Sequence, residues 1–326
     1  MISSRRFTAG FAILALTMML AALAFAQQGW SRLQIIKKGD KPAVINAVFY
    51  DGDYIWVVGA DGLVARSFDE GRNFQEESAG VDSGLNDIYA RGNRIWVVGD
   101  AGAMLKSTDG GRSFIKSYYT SRYKSADGQP DSGAIDLYSV QFTDRDYGYI
   151  VGDKGLILSS TNGGASWREQ KSGVDAQLFH LSFQGDKGWV VGTGGVILHT
   201  DDAGRNWYPQ RSGTKDDLNR VYLINDRIGL VTGDNGTLLR TENGGATWER
   251  VQLNVREPLY GMSFIDKKTG WVVGYGGRII RTYDGGRNWV DQDSATTGDL
   301  FSVSFFKNRG YAIGRDGLVM RYYERR

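Results

Sequence analysis

A Gly-x-x-Gly turn recurs seven times along the chain, and this repeat constrains the fold more than any other feature. The turns stand at Gly59-Gly62, Gly99-Gly102, Gly152-Gly155, Gly192-Gly195, Gly233-Gly236, Gly274-Gly277 and Gly314-Gly317, with steps of 40, 53, 40, 41, 41 and 40 residues. Ahead of each turn a Leu or Ile opens a short strand: Ile45, Leu85, Leu137, Leu178, Leu218, Leu259 and Leu300. A second strand, such as Ile55-Trp56-Val57-Val58, runs into the turn, and a third, such as Leu63-Val64-Ala65-Arg66, leaves it. Short runs of β-formers bounded by Gly and Asp, without a helical period, read as strands. A self-similar unit of about 40 residues with several strands reads as one blade of a propeller.

Six units continue into an eight-residue turn of the form Ser/Thr-x-Asp/Asn-x-Gly-x-x-Trp/Phe, an Asp-box or BNR repeat. The boxes run Ser67–Phe74, Ser107–Phe114, Ser160–Trp167, Thr200–Trp207, Thr241–Trp248 and Thr282–Trp289. Asp69, Asp109, Asn162, Asp202, Asn243 and Asp284 are expected to be structural, capping backbone N–H groups while Gly permits a positive φ. The closing aromatic is expected to plug the gap between sheets.

The seventh unit ends after Leu318–Tyr323 without a box, but the N-terminal segment carries the missing part. Trp30-Ser31-Arg32-Leu33-Gln34 resembles the strands that follow boxes at Trp207 and Trp248. All nine Trp fall at two repeat positions: five close blades, and Trp56, Trp96, Trp189 and Trp271 lie in second strands. The expected fold is all-β, a seven-bladed β-propeller of four-stranded blades closed by the N-terminal strand, which leaves no free edge at the join.

Residues 1–26 read as a signal peptide. Arg5 and Arg6 precede an apolar run from Phe11 to Phe25, and Ala24-Phe25-Ala26 is a small-x-small cleavage site. That run is shorter than the roughly 20 residues of a membrane span, so the expected mature chain is exported, periplasmic or secreted, and does not itself span the membrane. Residues 27–326 are expected to form a single domain. The formal charge of +2 rests on Arg5 and Arg6, so the remainder is neutral, which argues against nucleic acid as a partner. With no Cys and only His180 and His199, neither a thiolate nor a His-based metal site is expected, and no cofactor motif is present. His180, in an inner strand, reads as a packing residue.

Two surface features could carry recognition. The 53-residue step contains an insertion, about 118–133, with Tyr118, Tyr119, Arg122, Tyr123 and Lys124. Tyr combined with Arg and Lys suits a protein, peptide or glycan surface, and a tolerated loop is the alternative. The residue before each box, or its equivalent, is Arg66, Lys106, Ser159, His199, Arg240, Arg281 and Arg321. These could form a basic ring on the Asp-box face that grips carboxylates. Alternatively each Arg covers a neighbouring aromatic and pairs with an adjacent acid. Asp61, Asp100, Asp153, Asp234 and Asp316 in the Gly-x-x-Gly turns, with Asp136, Asp217 and Asp299 before inner strands, could serve a glycosidase or Ca²⁺ site, but such turns need Asp for backbone capping.

The run Trp-Val-Val-Gly-x-x-Gly-x-Ile-x-x-Thr-x-Asp-Gly-Gly-x-x-Trp at Trp271–Trp289 resembles the photosystem II stability/assembly factor family of cyanobacteria and plastids, which has relatives in non-photosynthetic bacteria. The resemblance spans Trp30 to Tyr323. It implies a lumenal or periplasmic assembly scaffold, not an enzyme, whose arginine-rich patch meets its partner; for this chain the expected partner is a membrane protein or complex on its extracytoplasmic side, and the expected state is a monomer. Arg66, Arg240, Arg281 and Arg321 match that patch, Ser159 and His199 interrupt it, and the lipid-anchoring Cys of many members is absent. The alternative is a glycan-active enzyme of sialidase or glycosidase type, or a glycan-binding module, since sialidases share Asp-boxes. No Arg-Ile-Pro motif of the sialidase kind is present.

Overall fold

The computed structural model describes residues 29–120 and 135–323. The leader and Arg122, Tyr123 and Lys124 lie outside the described residues. Seven four-stranded sheets form, each a run of consecutive antiparallel strands except the last. Blade 1 is built from Ile45–Tyr50, Ile55–Gly59, Val64–Ser67 and Gln75–Glu76. The inner strands of blades 2 to 6 are Leu85–Arg91, Leu137–Phe142, Leu178–Gln184, Leu218–Leu223 and Leu259–Phe264. Blade 7 comprises Leu300–Phe306, Arg309–Gly314 and Leu318–Tyr323, and its outer strand is Gly29–Ile35. Trp30 lies opposite Tyr322 and Ser31 opposite Arg321, so the two ends of the chain close the ring in one ladder.

Second strands such as Ile55–Gly59 and Gly270–Gly274 are buried throughout. Both of their faces meet protein, which is why they read as unbroken β-branched and aromatic runs rather than alternating ones. The core is accordingly seven layers, each shared by adjacent blades. In several layers a second-strand aromatic stacks on the inner-strand Phe of the next blade. Trp96 lies 3.7 Å from Phe142, Tyr149 3.8 Å from Phe183, and Trp271 3.9 Å from Phe305. The box-closing aromatic then meets the same Phe edge-on: Trp167 on Phe142, Trp207 on Phe183, Trp289 on Phe264. Trp30 takes this position on Phe305 at 5.7 Å and 89°, which identifies it as the closing aromatic of blade 7.

The Gly-x-x-Gly turns also seat the next blade. At Gly62 the φ is +67°, and a Cβ would collide with the carbonyl oxygen of Val81, in the connection to blade 2. Both the left-handed backbone and the close approach demand glycine here. Every inner strand carries a register shift between its first and third residues. Such bulges re-aim side chains, and here they accompany the placing of Asp87, Ser139, His180 and Arg220, each the third residue of its inner strand, on the central channel.

Candidate functional site

The Asp-box residues are absorbed by their own turns. In blade 2, the Ser107 hydroxyl donates to Asp109 Oδ1 at 2.8 Å and accepts from the Gly111 amide at 2.9 Å. Asp109 in turn accepts from the Ser113 amide at 3.0 Å and the Ser113 hydroxyl at 2.6 Å. Asp69, Asp202 and Asp284 make the equivalent bonds, with Asn73, Asn206 and Asn288 as the side-chain donors. In the two Asn boxes the polarity reverses, and Asn162 and Asn243 donate to the hydroxyls of Ser166 and Thr247. The turn therefore needs a planar acceptor at this position, not a charge.

These bonds make a pH prediction with a definite sign. Hydrogen bonds from the Ser113 and Ser107 hydroxyls, then the Ser113 amide, lower the Asp109 carboxyl to about 2. Its stabilising contribution is present above the unfolded value and is lost as pH falls through the interval from about 4 to about 2. Asp109→Asn, with Ser113 able to accept as Ser166 does, should melt like wild type at pH 7 and show a shallower loss of stability in acid. Ser107→Ala leaves buried amides unpaired and should destabilise by about 1–3 kcal/mol. Thermal melts from pH 7 to pH 2 read both outcomes, and equal acid sensitivity of wild type and Asp109→Asn would refute the assignment.

The basic ring residues occupy equivalent third-strand positions, but three of them direct their charge inward. Arg66, Arg240 and Arg281 are only 9%, 8% and 6% exposed. The Arg66 guanidinium lies 4.9 Å from the Trp56 ring and 4.3 Å from Phe68, and pairs with Glu77 at 2.5 Å. Arg281 lies 4.5 Å from Trp271 and 4.3 Å from Tyr283, and donates to the Tyr322 hydroxyl at 2.7 Å. Arg240 donates through Nε to the Gly285 carbonyl at 3.0 Å and pairs with Glu242. Arg321 reaches Glu70 at 3.8 Å. Burial, with Arg94 beside it, lowers Lys106. Burial holds the His199 imidazole, 4.4 Å from Trp189, below its usual range, so it is neutral at pH 7. What reaches solvent is the aromatic cover: Phe68 and Tyr283 are 54% and 55% exposed.

Of the insertion residues, Tyr118 ends the outer strand of blade 2 and is exposed, while Tyr119 packs against the layer of blades 2 and 3 and donates to Glu169 at 2.9 Å. The rim carboxylates cap turns. Asp136, Asp217 and Asp299 accept from the amides of Ala101, Gly194 and Gly276 in the neighbouring blade at 2.8, 2.8 and 2.9 Å.

The central channel holds a second polar system that the sequence does not reveal. An inner strand has no ladder partner on its channel edge, so its outward amides need acceptors. Side chains of the preceding blade provide them. The Val48 and Tyr50 amides donate to Ser302 and Ser304, Val140 to Asp87, Phe183 to Gln141, Val221 to His180 and Phe305 to Ser263, at 2.8–3.5 Å. His180 thus caps a strand edge rather than packing in a core. Repeat spacing places these positions, but only the geometry shows what they accept.

Among the described residues no group of three or more His, Cys, Asp or Glu could hold a metal ion, and no helix is long and apolar enough to cross a membrane.

A family model described as photosynthesis system II assembly factor YCF48 matches residues 131–218, 210–289 and 246–324, together more than half of the chain. Among solved structures, YCF48 from Cyanidioschyzon merolae superposes with a TM-score of 0.71 at 19% identity, covering 90% of this chain and 98% of that one. A YCF48 bound to D1 peptide gives 0.73 at 18% identity, covering 91% and 97%. A catalytically inactive virginiamycin B lyase from Staphylococcus aureus, solved with quinupristin, gives 0.71 at 10% identity, covering 91% and 100%. At such identities the likeness concerns the fold, which enzymes and binding proteins share. No curated protein matches the chain. The repeated match of the family model across blades 3 to 7 places the chain in the photosynthesis system II assembly factor YCF48 family of β-propellers.

Proposed function

We propose that the chain is a non-catalytic protein-interaction scaffold of the assembly-factor type, exported and acting as a single copy on a membrane complex from its extracytoplasmic side. The observation that carries this reading is the family match, joined to a propeller of the same architecture that is bound to a D1 peptide. On this chain the recognition surface is the Asp-box face. There the buried Arg66 and Arg281 hold Phe68 and Tyr283 from behind, presenting two aromatic rings with cationic backing. Rigid aromatics at the surface provide contact area at low entropic cost, and Arg behind them favours acidic or carboxylate-bearing segments. Tyr118, exposed at the end of the outer strand of blade 2 and paired with Ala103 beside the Gly99-Gly102 turn, adds a second contact.

The test is affinity capture from extracytoplasmic and detergent-solubilised membrane fractions, with wild type beside the Phe68→Asp/Tyr283→Asp double variant. Both positions are exposed, so the variant should fold, and circular dichroism checks this. The expected result is one partner enriched by wild type and depleted at least tenfold by the double variant. Equal recovery by both removes the Asp-box face as the interface, and hydrolysis of a glycan by the wild-type chain overturns the scaffold reading.

A further inference from the structure

One charged channel residue does not serve the edge-capping system described above. At the third position of the inner strands, Asp87, His180 and Ser302 each accept from a neighbouring amide, and Ser139 donates to Asp87 at 2.9 Å. Arg220 of blade 5 occupies the same position, but a guanidinium has only donors and can cap nothing. Its guanidinium makes no hydrogen bond or ion pair with any described residue, and no aromatic ring lies beneath it. The side chain is part-buried and lines the channel, so its donors are left open to a ligand that brings carboxylate oxygens.

The other groups facing the channel define that ligand. Asp87 is held by the Val140 amide at 3.0 Å, the Ile88 amide at 3.0 Å and the Ser139 hydroxyl at 2.9 Å, and is not in contact with Arg220. Each still feels the charge of the other across the space between them. His180 accepts from the Val221 amide through Nδ1, so its proton sits on Nε2. Burial, and then the charge of Arg220, hold this imidazole well below its usual range, which keeps it a neutral donor. The facing wall, from Phe49, Ser263 and Ser304, carries no charge. The walls as a whole are therefore neutral but dipolar. A simple anion would leave Asp87 opposed, and a simple cation would leave Arg220 opposed.

The cavity these residues line is about 210 Å³. That is below the ~300–1,000 Å³ of drug-sized sites, which suits a small molecule.

We propose that the central channel binds a free α-amino acid with a small side chain, its carboxylate on Arg220 and the Nε2–H of His180 and its ammonium on Asp87. Such a zwitterion matches both charges, fits the volume and leaves the site neutral. The site is separate from the aromatic docking face, and neither requires the other.

Isothermal titration calorimetry on the purified mature chain tests this directly, with glycine, L-alanine and L-serine as probes and acetate and methylamine as half-ligands. At least one of the three amino acids should bind at least tenfold more tightly than either half-ligand. Arg220→Met and Asp87→Asn should each weaken that binding tenfold or more. Absence of binding by all three, acetate binding as tightly as the amino acids, or unchanged affinity in Arg220→Met overturns the proposal. Should Arg220→Met fail to fold, nuclear magnetic resonance of the wild type decides. The Arg220 Nε–H resonance, assigned by its loss in Arg220→Lys, should move with L-alanine and not with methylamine, and an unmoved resonance overturns the site.

Discussion

Deleting Gly29–Ile35 will remove most of the stability of the ring, lowering its melting temperature by roughly 10 °C or more. The segment is the whole outer strand of blade 7, paired with Leu318–Tyr323 over six register positions. It also brings Trp30, 8% exposed, against Phe305 at 5.7 Å and Tyr322 at 5.4 Å. Loss of that indole alone is worth about 3–5 kcal/mol, a large share of the ~5–15 kcal/mol that holds a typical domain together. Deletion adds an unpaired strand edge on Leu318–Tyr323, an invitation to self-association. A synthetic peptide covering residues 29–36 should bind the truncated chain and restore the melt, because it replaces the strand without covalent connection. A truncated chain that melts within a few degrees of wild type would show that closure contributes little and that the remaining six complete blades hold by themselves.

The architecture was legible because it is written in residues whose identity the backbone demands. Gly62 and its six counterparts tolerate no Cβ or need a positive φ, so the period survives in the sequence. Trp30 was recognisable as the missing closing aromatic because six Trp or Phe counterparts close the other blades, and three of them, Trp167, Trp207 and Trp289, meet an inner-strand Phe as Trp30 does. The sites were less legible, for two physical reasons. A charge in a sequence does not show what lies beneath it: Arg66 and Arg281 read as an outward cationic ring, yet each is opposite a second-strand Trp, Trp56 or Trp271, and covers it. The third positions of the inner strands, in turn, vary from blade to blade as Ala47, Asp87, Ser139, His180, Arg220, Gly261 and Ser302. Any acceptor can cap an inner-edge amide, so no repeat pattern marks the set, and Arg220 stands out only once its neighbours' bonds are known.

Trp271→Ala should be among the most destabilising single substitutions in the chain, at about 3–5 kcal/mol. Trp271 is fully buried, stacked on Phe305 at 3.9 Å and 11°, with Tyr322 5.0 Å away and the Arg281 guanidinium 4.5 Å from its ring. Alanine opens a cavity between blades 6 and 7 that four-stranded sheets on either side cannot readily collapse, and it strips the apolar floor from a buried arginine. Trp271→Phe separates these effects. Its indole N–H has no partner among the described residues, so phenylalanine sacrifices no hydrogen bond, keeps a ring on Phe305 and under Arg281, and should cost less than half as much. A double-mutant cycle with Arg281→Met then isolates the cation–ring contact, expected at about 0.5–2 kcal/mol. Urea unfolding of the four proteins at pH 7 provides the numbers. A coupling near zero would mean that Arg281 is held by the Tyr322 hydroxyl at 2.7 Å rather than by the indole. A loss below about 1.5 kcal/mol for Trp271→Ala would mean that the blades can slide together to fill the space, and that the ring is a looser assembly than its stacked layers imply.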